Sequence, residues 1–267
     1  MKHKFLFILL FSLVLEGMVA TQAVAGDYVH QVNTLIGTKG TGLTSGYLYP
    51  GATYPYGMVQ FTPSYFSKRS GFVINQLSGG GCEHMGNFPT FPVKGKLKMS
   101  PDNILNYRIS VSEEKGHAGY YEAMVQEDIK AKLTVTERTG MASYEYPADQ
   151  QYGTIIIGGG ISATPIEQAA IVITAPNKCE GYAEGGNFCG LRTPYKVYFI
   201  AEFDTDALET GTWKREELMP NTTFAEGEYS GVYFTFDVNK KKNIQYKIGV
   251  SYVSVENARE NLKAENA

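Results

Sequence analysis

Ala131-Lys132-Leu133-Thr134-Val135-Thr136-Glu137 places an apolar side chain at every second position and a polar one between. A period of two is what a β-strand imposes, because successive side chains point to opposite faces of the sheet. One face of this strand is therefore expected on a core and the other in water. The same alternation recurs on either side of it. Val93 to Met99, Tyr107 to Val111, Tyr120 to Glu127 and Met141 to Tyr146 read as strands, and so do Thr154 to Ile157, Ala170 to Thr174, Tyr195 to Phe203, Val232 to Phe236 and Ile244 to Val253. Short strands at this spacing, with almost no helical periodicity, predict an all-β fold: an antiparallel β-sandwich of ten or more strands.

The exception is the C-terminal stretch. Ser254 is a suitable N-cap, and Val255, Ala258 and Leu262 fall on one side of a helix. No glycine cap or stop signal follows, so 254–267 reads as the start of a linker to a further domain. At the other end, Lys2, His3 and Lys4 precede an apolar run from Phe5 to Leu15, and Ala23-Val24-Ala25 supplies a small-residue cleavage pattern. Residues 1–25 are thus expected to be a signal peptide, and 26–253 the sandwich domain. The apolar run is too short for a transmembrane span. Export then places the protein in the periplasm or outside the cell.

Composition narrows the function. A net charge of -3 with both signs dispersed leaves no basic footprint for nucleic acid or an anionic membrane. The run Lys240-Lys241-Lys242 lies between two strands and reads as a solvated turn. The glycine- and hydroxyl-rich segment Gly37 to Gly46 lacks the Gly-Lys-Ser/Thr ending of a phosphate loop. Nineteen tyrosines and 14 phenylalanines suit pleated packing, and they also suit sugar binding, where a ring meets the C–H face of a pyranose.

The densest chemistry lies in Gln76-Leu77-Ser78-Gly79-Gly80-Gly81-Cys82-Glu83-His84-Met85-Gly86-Asn87. Glycines let the backbone approach a ligand, and their neighbours supply a thiol, a carboxylate, an imidazole and amides. Two loops, Tyr47 to Tyr56 and Asn75 to Asn87, are the candidate binding elements, with Tyr49, Asn75, Gln76, Gly80, Glu83 and His84 as the substrate-binding candidates. The competing reading is a tight bend at a sheet edge, with Tyr49 packing and His84 satisfied locally. No catalytic pair and no metal-ligand spacing stands out: Glu113-Glu114 and Glu216-Glu217 are expected in solvated turns.

Cysteines in an exported protein face an oxidising compartment. Cys179 and Cys189 flank a hairpin-like segment and are the disulfide candidates, while Cys82 could pair with either. The sequon at Asn221-Thr222-Thr223 matters only in a eukaryotic secretory route.

Several segments together resemble the N-terminal domain of glycoside hydrolase family 92: Val32 to Gly37 (VNTLIG), Tyr49 to Gly57 (YPGATYPYG), Leu77 to Cys82 (LSGGGC), Tyr198 to Phe203 (YFIAEF) and Val250 to Ala258 (VSYVSVENA). They occur in family order across the mature chain. The resemblance implies a β-sandwich joined by a helical linker to an (α/α)6 barrel, in a secreted, calcium-dependent, inverting exo-α-mannosidase. It further implies that the barrel holds the general acid, the general base and most calcium ligands, whereas sandwich loops close one side of the sugar pocket. Such hydrolysis needs two carboxyl groups about 6.5 to 9.5 Å apart. This chain alone is accordingly expected to be inactive, with a mannose-containing glycan and the catalytic domain as its partners. One departure is local: Gly71-Phe72-Val73-Ile74-Asn75-Gln76 replaces the histidine- and serine-rich segment of many members. The alternatives are a free-standing carbohydrate-binding protein derived from the family and an adhesive sandwich without a sugar site.

Overall fold

The computed structural model describes residues 28, 31–38, 48–64, 71–82, 84–103, 110–186, 188 and 190–267. It divides into a unit over Met1–Gln31, of which Tyr28 and Gln31 are described, and a unit over Val32–Ala267. The expected signal peptide, residues 1–25, lies outside the described residues. All architecture below belongs to the second unit.

Two antiparallel sheets make the sandwich. The smaller has eight strands in the order β1 (Ala52–Thr53), β2 (Gln60–Pro63), β3 (Phe72–Val73), β4 (Thr90–Lys94), β9 (Tyr152–Gly158), β16 (Ser230–Asp237), β13 (Glu209–Lys214) and β14 (Glu217–Pro220). The larger has nine, in the order β15 (Phe224–Glu226), β10 (Ile166–Ala175), β11 (Lys178–Gly185), β12 (Tyr195–Phe203), β17 (Asn243–Ser251), β8 (Thr139–Glu145), β7 (Ile129–Val135), β6 (Tyr120–Val125) and β5 (Val111–His117). In β7, Ile129, Ala131 and Leu133 are buried while Lys132 and Thr134 are exposed, as the alternation requires.

The inner faces interdigitate through aromatic rings. Phe88 of the smaller sheet side meets Phe199 of the larger at 4.1 Å between centroids, and Phe203 meets Phe234 at 4.7 Å. Tilted pairs of this kind avoid stacking one negative π-face on another. The outer face of the smaller sheet is not simply solvated. Ile155 and Ile157 point into the main core, whereas Ile156 joins Phe91, Val93, Ile161, Tyr233 and Trp213 in a second apolar cluster on the other side. Trp213 is fully buried there.

Some strands differ from their sequence reading for local reasons. The strand expected from Val93 to Met99 is β4, which ends at Lys94 because Gly95 turns the chain with φ +77°. Pro92 is tolerated in β4 because, among the described residues, β3 pairs with that strand only at Thr90. Of the strand expected from Tyr107 to Val111, residues 107–109 lie outside the described set, and Val111 opens β5.

The C-terminal helix α1 spans Val255–Glu265, with the Ser254 hydroxyl accepting from Asn257 N–H at 3.1 Å. It lies on its own domain: Ala258 and Leu262 pack with Ile200 on the outer face of the larger sheet. Gly249 permits this contact, since a Cβ at that position would stand 2.5 Å from the Ala258 carbonyl.

Candidate functional site

The glycine-rich loop leaves the smaller sheet after β3 and returns before β4, and two asparagines close its base. Asn75 Nδ2 donates to Asn87 Oδ1 at 2.9 Å, and Asn87 N–H donates back to Asn75 Oδ1 at 2.8 Å. The larger sheet buttresses the pair. The Tyr195 hydroxyl, at the start of β12, donates to Asn87 Oδ1 at 2.6 Å, and Asn75 Nδ2 also reaches the Tyr252 hydroxyl just past β17 at 3.4 Å. Both asparagines are buried. Burial raises the Tyr195 phenol far above its ordinary pKa, so it remains a donor at neutral pH.

Inside this frame sit polar groups that find no partner among the described residues. Gln76 is fully buried, and neither its Nε2 nor its Oε1 meets a hydrogen-bond partner there; the same holds for Asn87 Nδ2, while the buried His84 ring lies against the Leu77 backbone. Buried polar atoms are nearly always bonded, so such a cluster makes this loop the candidate site. The His84 ring stacks on Phe188 at 4.9 Å. Burial lowers its pKa, partly opposed by the nearby Leu77 backbone, which leaves the imidazole neutral at pH 7. Gly80 is the only residue type that fits beside it, because a Cβ there would stand 2.6 Å from His84 Nε2.

The second loop is tied to the first through Ser78, whose hydroxyl accepts from Tyr49 N–H at 3.2 Å and from Gln60 Nε2 at 2.9 Å. Tyr49 itself is buried, whereas Tyr54 is half exposed. Of the sequence-derived candidates, Tyr49, Asn75, Gln76, Gly80 and His84 thus fall in one neighbourhood, and Glu83 lies outside the described residues. The Asn75 amide is held by Asn87 and reaches Tyr252. Sequence reading missed Asn87, Tyr195 and Tyr252 as a functional group. The matching asparagines at the two ends of the loop were the available signal.

The cysteines correct one expectation. Cys179 is a free thiol, so the expected pair with Cys189 is not made; Cys82 is the disulfide-bonded cysteine among the described residues. The reason is register. Cys179 faces inward on β11 opposite Ala201, buried in the core, where its environment pushes the thiol pKa strongly up. No three His, Cys, Asp or Glu side chains gather into a metal-binding group among the described residues. The donor set here does not fit a calcium cage, which needs six to eight oxygens.

Comparison with known proteins agrees with this geometry. Residues 31–251 match the family model described as the glycosyl hydrolase family 92 N-terminal domain. A curated relative, an uncharacterized secreted glycosidase of Arthroderma benhamiae, is 24% identical over 95% of this chain and 37% of its own length. The solved family GH92 α-mannosidase of Bacteroides thetaiotaomicron superposes with a TM-score of 0.73 at 25% identity, over 88% of this chain and 35% of the other; its complex with mannoimidazole gives 0.75. A further GH92 family glycosyl hydrolase gives a TM-score of 0.76 at 21% identity, over 90% of this chain and 34% of its own, which shows the shared fold. The chain therefore spans about a third of the length of these relatives, and across that span it belongs to the N-terminal domain family of glycosyl hydrolase family 92.

Proposed function

We propose that this chain is the sugar-facing β-sandwich of a secreted α-mannosidase, lending the loop 75–87 to a pocket that a catalytic domain completes. The observation that carries the reading is the set of buried polar atoms on Gln76 and Asn87, without partners among the described residues and beside the buried His84 ring, inside a protein of this family. They support a surface that recognises hydroxyl groups. The general acid, the general base and the calcium ligands belong, on this reading, to the part of the longer relatives beyond this match, so the chain by itself binds without hydrolysing. No step assigned to these residues runs through a metal.

Their work is to orient a ligand. A neutral imidazole and a primary amide each offer both a donor and an acceptor, which matches a sugar hydroxyl. The segment Asn75 to Asn87 carries no Lys or Arg, consistent with a neutral substrate. Removal of residues 1–25 as a signal peptide and release to the periplasm or the exterior complete the proposal.

A free-standing carbohydrate-binding role is the second reading, favoured by the fact that the buried polar cluster and its clamp lie wholly within this chain. Calorimetric titration with mannose and short α-mannosides tests both. Millimolar or tighter binding that disappears in Gln76→Ala and His84→Ala supports recognition by this domain. Absence of any heat with every mannoside would overturn the binding role of the chain alone. Hydrolysis by the chain alone would overturn the assignment of the catalytic groups elsewhere.

A further inference from the structure

Two donors converge on a single atom, Asn87 Oδ1: the Tyr195 hydroxyl at 2.6 Å and Asn75 Nδ2 at 2.9 Å. An amide so held has one orientation, since flipping it would set two donors against an NH2 group. The amide of Asn75 is fixed in turn, because its Oδ1 accepts from Asn87 N–H. Asn87 Nδ2 is consequently a donor of defined direction, and it is buried and without a partner among the described residues. An orphaned buried donor costs its full desolvation energy unless something fills the place.

The Gln76 amide lies beside Gly86, the residue before Asn87: a Cβ at position 86 would lie 3.7 Å from Gln76 Nε2, and Gly86 adopts φ +76°. Gln76 brings one further donor and one acceptor, both without a partner among the described residues. A carboxylate or phosphate oxygen would leave Gln76 Oε1 unsatisfied, and a cation would face two NH2 groups. A hydroxyl both donates and accepts.

We propose that Gln76 and Asn87 form a binding site for one neutral hydroxyl group, with Asn75 and Tyr195 as the positioning residues that aim the Asn87 amide. That hydroxyl is either a resident water or, resting on the sugar-binding reading above, a hydroxyl of the mannoside. The site makes Asn87 a ligand donor and removes Asn75 from direct contact with the ligand.

The test is side-chain amide NMR on the 15N-labelled chain, with the Asn87 NH2 signals assigned by their absence in Asn87→Asp. Cross-relaxation between Asn87 NH2 and a long-lived water in the free protein establishes the site. Its replacement by a shift of those signals on adding mannoside assigns the hydroxyl to the sugar; persistence of the water while mannoside binds assigns it to water. If neither water nor mannoside touches the Asn87 amide, the proposal falls. Failure of every mannoside to bind sinks the sugar-binding reading, whereas the water contact still decides this one.

Asn87→Asp supplies the second measurement. It keeps the oxygen that accepts from Tyr195 and Asn75 and converts the free donor into an acceptor. Where mannoside takes the place of the water, affinity at neutral pH is expected to drop about tenfold or more, and to recover as acid restores a proton, hence a donor, to the buried carboxyl. Tyr195→Phe removes one of the two donors that hold the Asn87 amide, and a smaller loss without acid recovery is expected. Affinity equal to wild type in Asn87→Asp, with the sugar in contact with the amide, would overturn the donor role.

Discussion

Glu265, in the last turn of α1, holds Arg138 in the turn between β7 and β8: its Oε2 accepts from Arg138 N–H at 2.8 Å and from the Thr136 hydroxyl at 2.6 Å, and its Oε1 accepts from the Arg138 guanidinium. Burial pushes the Glu265 carboxyl up, but the bonds from Thr136 and Arg138 outweigh it and its pKa is lowered. A carboxyl with a depressed folded pKa adds stability above its unfolded pKa and loses it as acid protonates the native state. Glu265→Ala is expected to lower unfolding stability by about 1 to 2 kcal/mol at pH 7, the figure discounted for the half-exposed Arg138. Urea unfolding at pH 7 and at pH 3.5 measures it, and the gap between variant and wild type should narrow at the lower pH.

His84 responds to pH through burial. Its folded pKa is depressed, so the unfolded chain binds a proton more readily. Stability contributed by the neutral ring is fully present above the ordinary histidine pKa of about 6.5 and declines as pH falls through that value toward the folded pKa. Thermal melts from pH 7.5 to 5 should show this decline in wild type and a flatter profile in His84→Asn. An identical slope in the variant would assign the effect to other groups.

Thiol counting separates the cysteines. With Cys82 disulfide-bonded and Cys179 buried and free, the native chain should give no rapid reaction with an aromatic disulfide reagent. Unfolding in denaturant without reductant should release one thiol per chain, at Cys179. Release of none or three would contradict the arrangement.

Gly80→Ala and Gly79→Ala make a contrasting pair. At position 80 the new Cβ meets His84 Nε2, while at position 79 nothing stands within 4 Å and only the backbone, at φ +79°, resists. The first is expected to cost about 1 to 3 kcal/mol by overpacking and the second about 1 by left-handed strain. In a His84→Ala background the cost at position 80 should disappear and the cost at 79 should remain, a coupling that a double-mutant cycle reads directly.

The sandwich was legible where side chains alternate in size and polarity. Tyr195–Phe203 is recovered as a strand with both ends correct, and Ser254 caps the helix expected of it. β11 escaped because its inward face is made of Cys179, Gly181, Ala183 and Gly185, residues too small to announce a core strand; Gly181 is held to glycine by the close approach of the Ala170 carbonyl on β10. The outer cluster around Trp213 escaped for another reason: periodicity tells which residues share a face and says nothing about whether that face is later covered. In the loop, composition pointed to Gln76, Gly80 and His84. The division of labour between Asn75 and Asn87 depends on which amide atom meets which donor, and that follows from Tyr195 and Tyr252 arriving from the other sheet.

The chain has one tryptophan, and it is sealed in the cluster outside the smaller sheet rather than in the main core. Intrinsic fluorescence thus becomes a reporter with an address. Excitation at the red edge of the absorption band will see the β4, β9, β16 and β13 face alone, and collisional quenchers will reach it only when that face opens. Tyrosine signal, spread over the main core and the loop buttresses, will follow the rest of the domain. Comparing the two emissions during unfolding will show whether the two sides of the smaller sheet come apart together or in sequence.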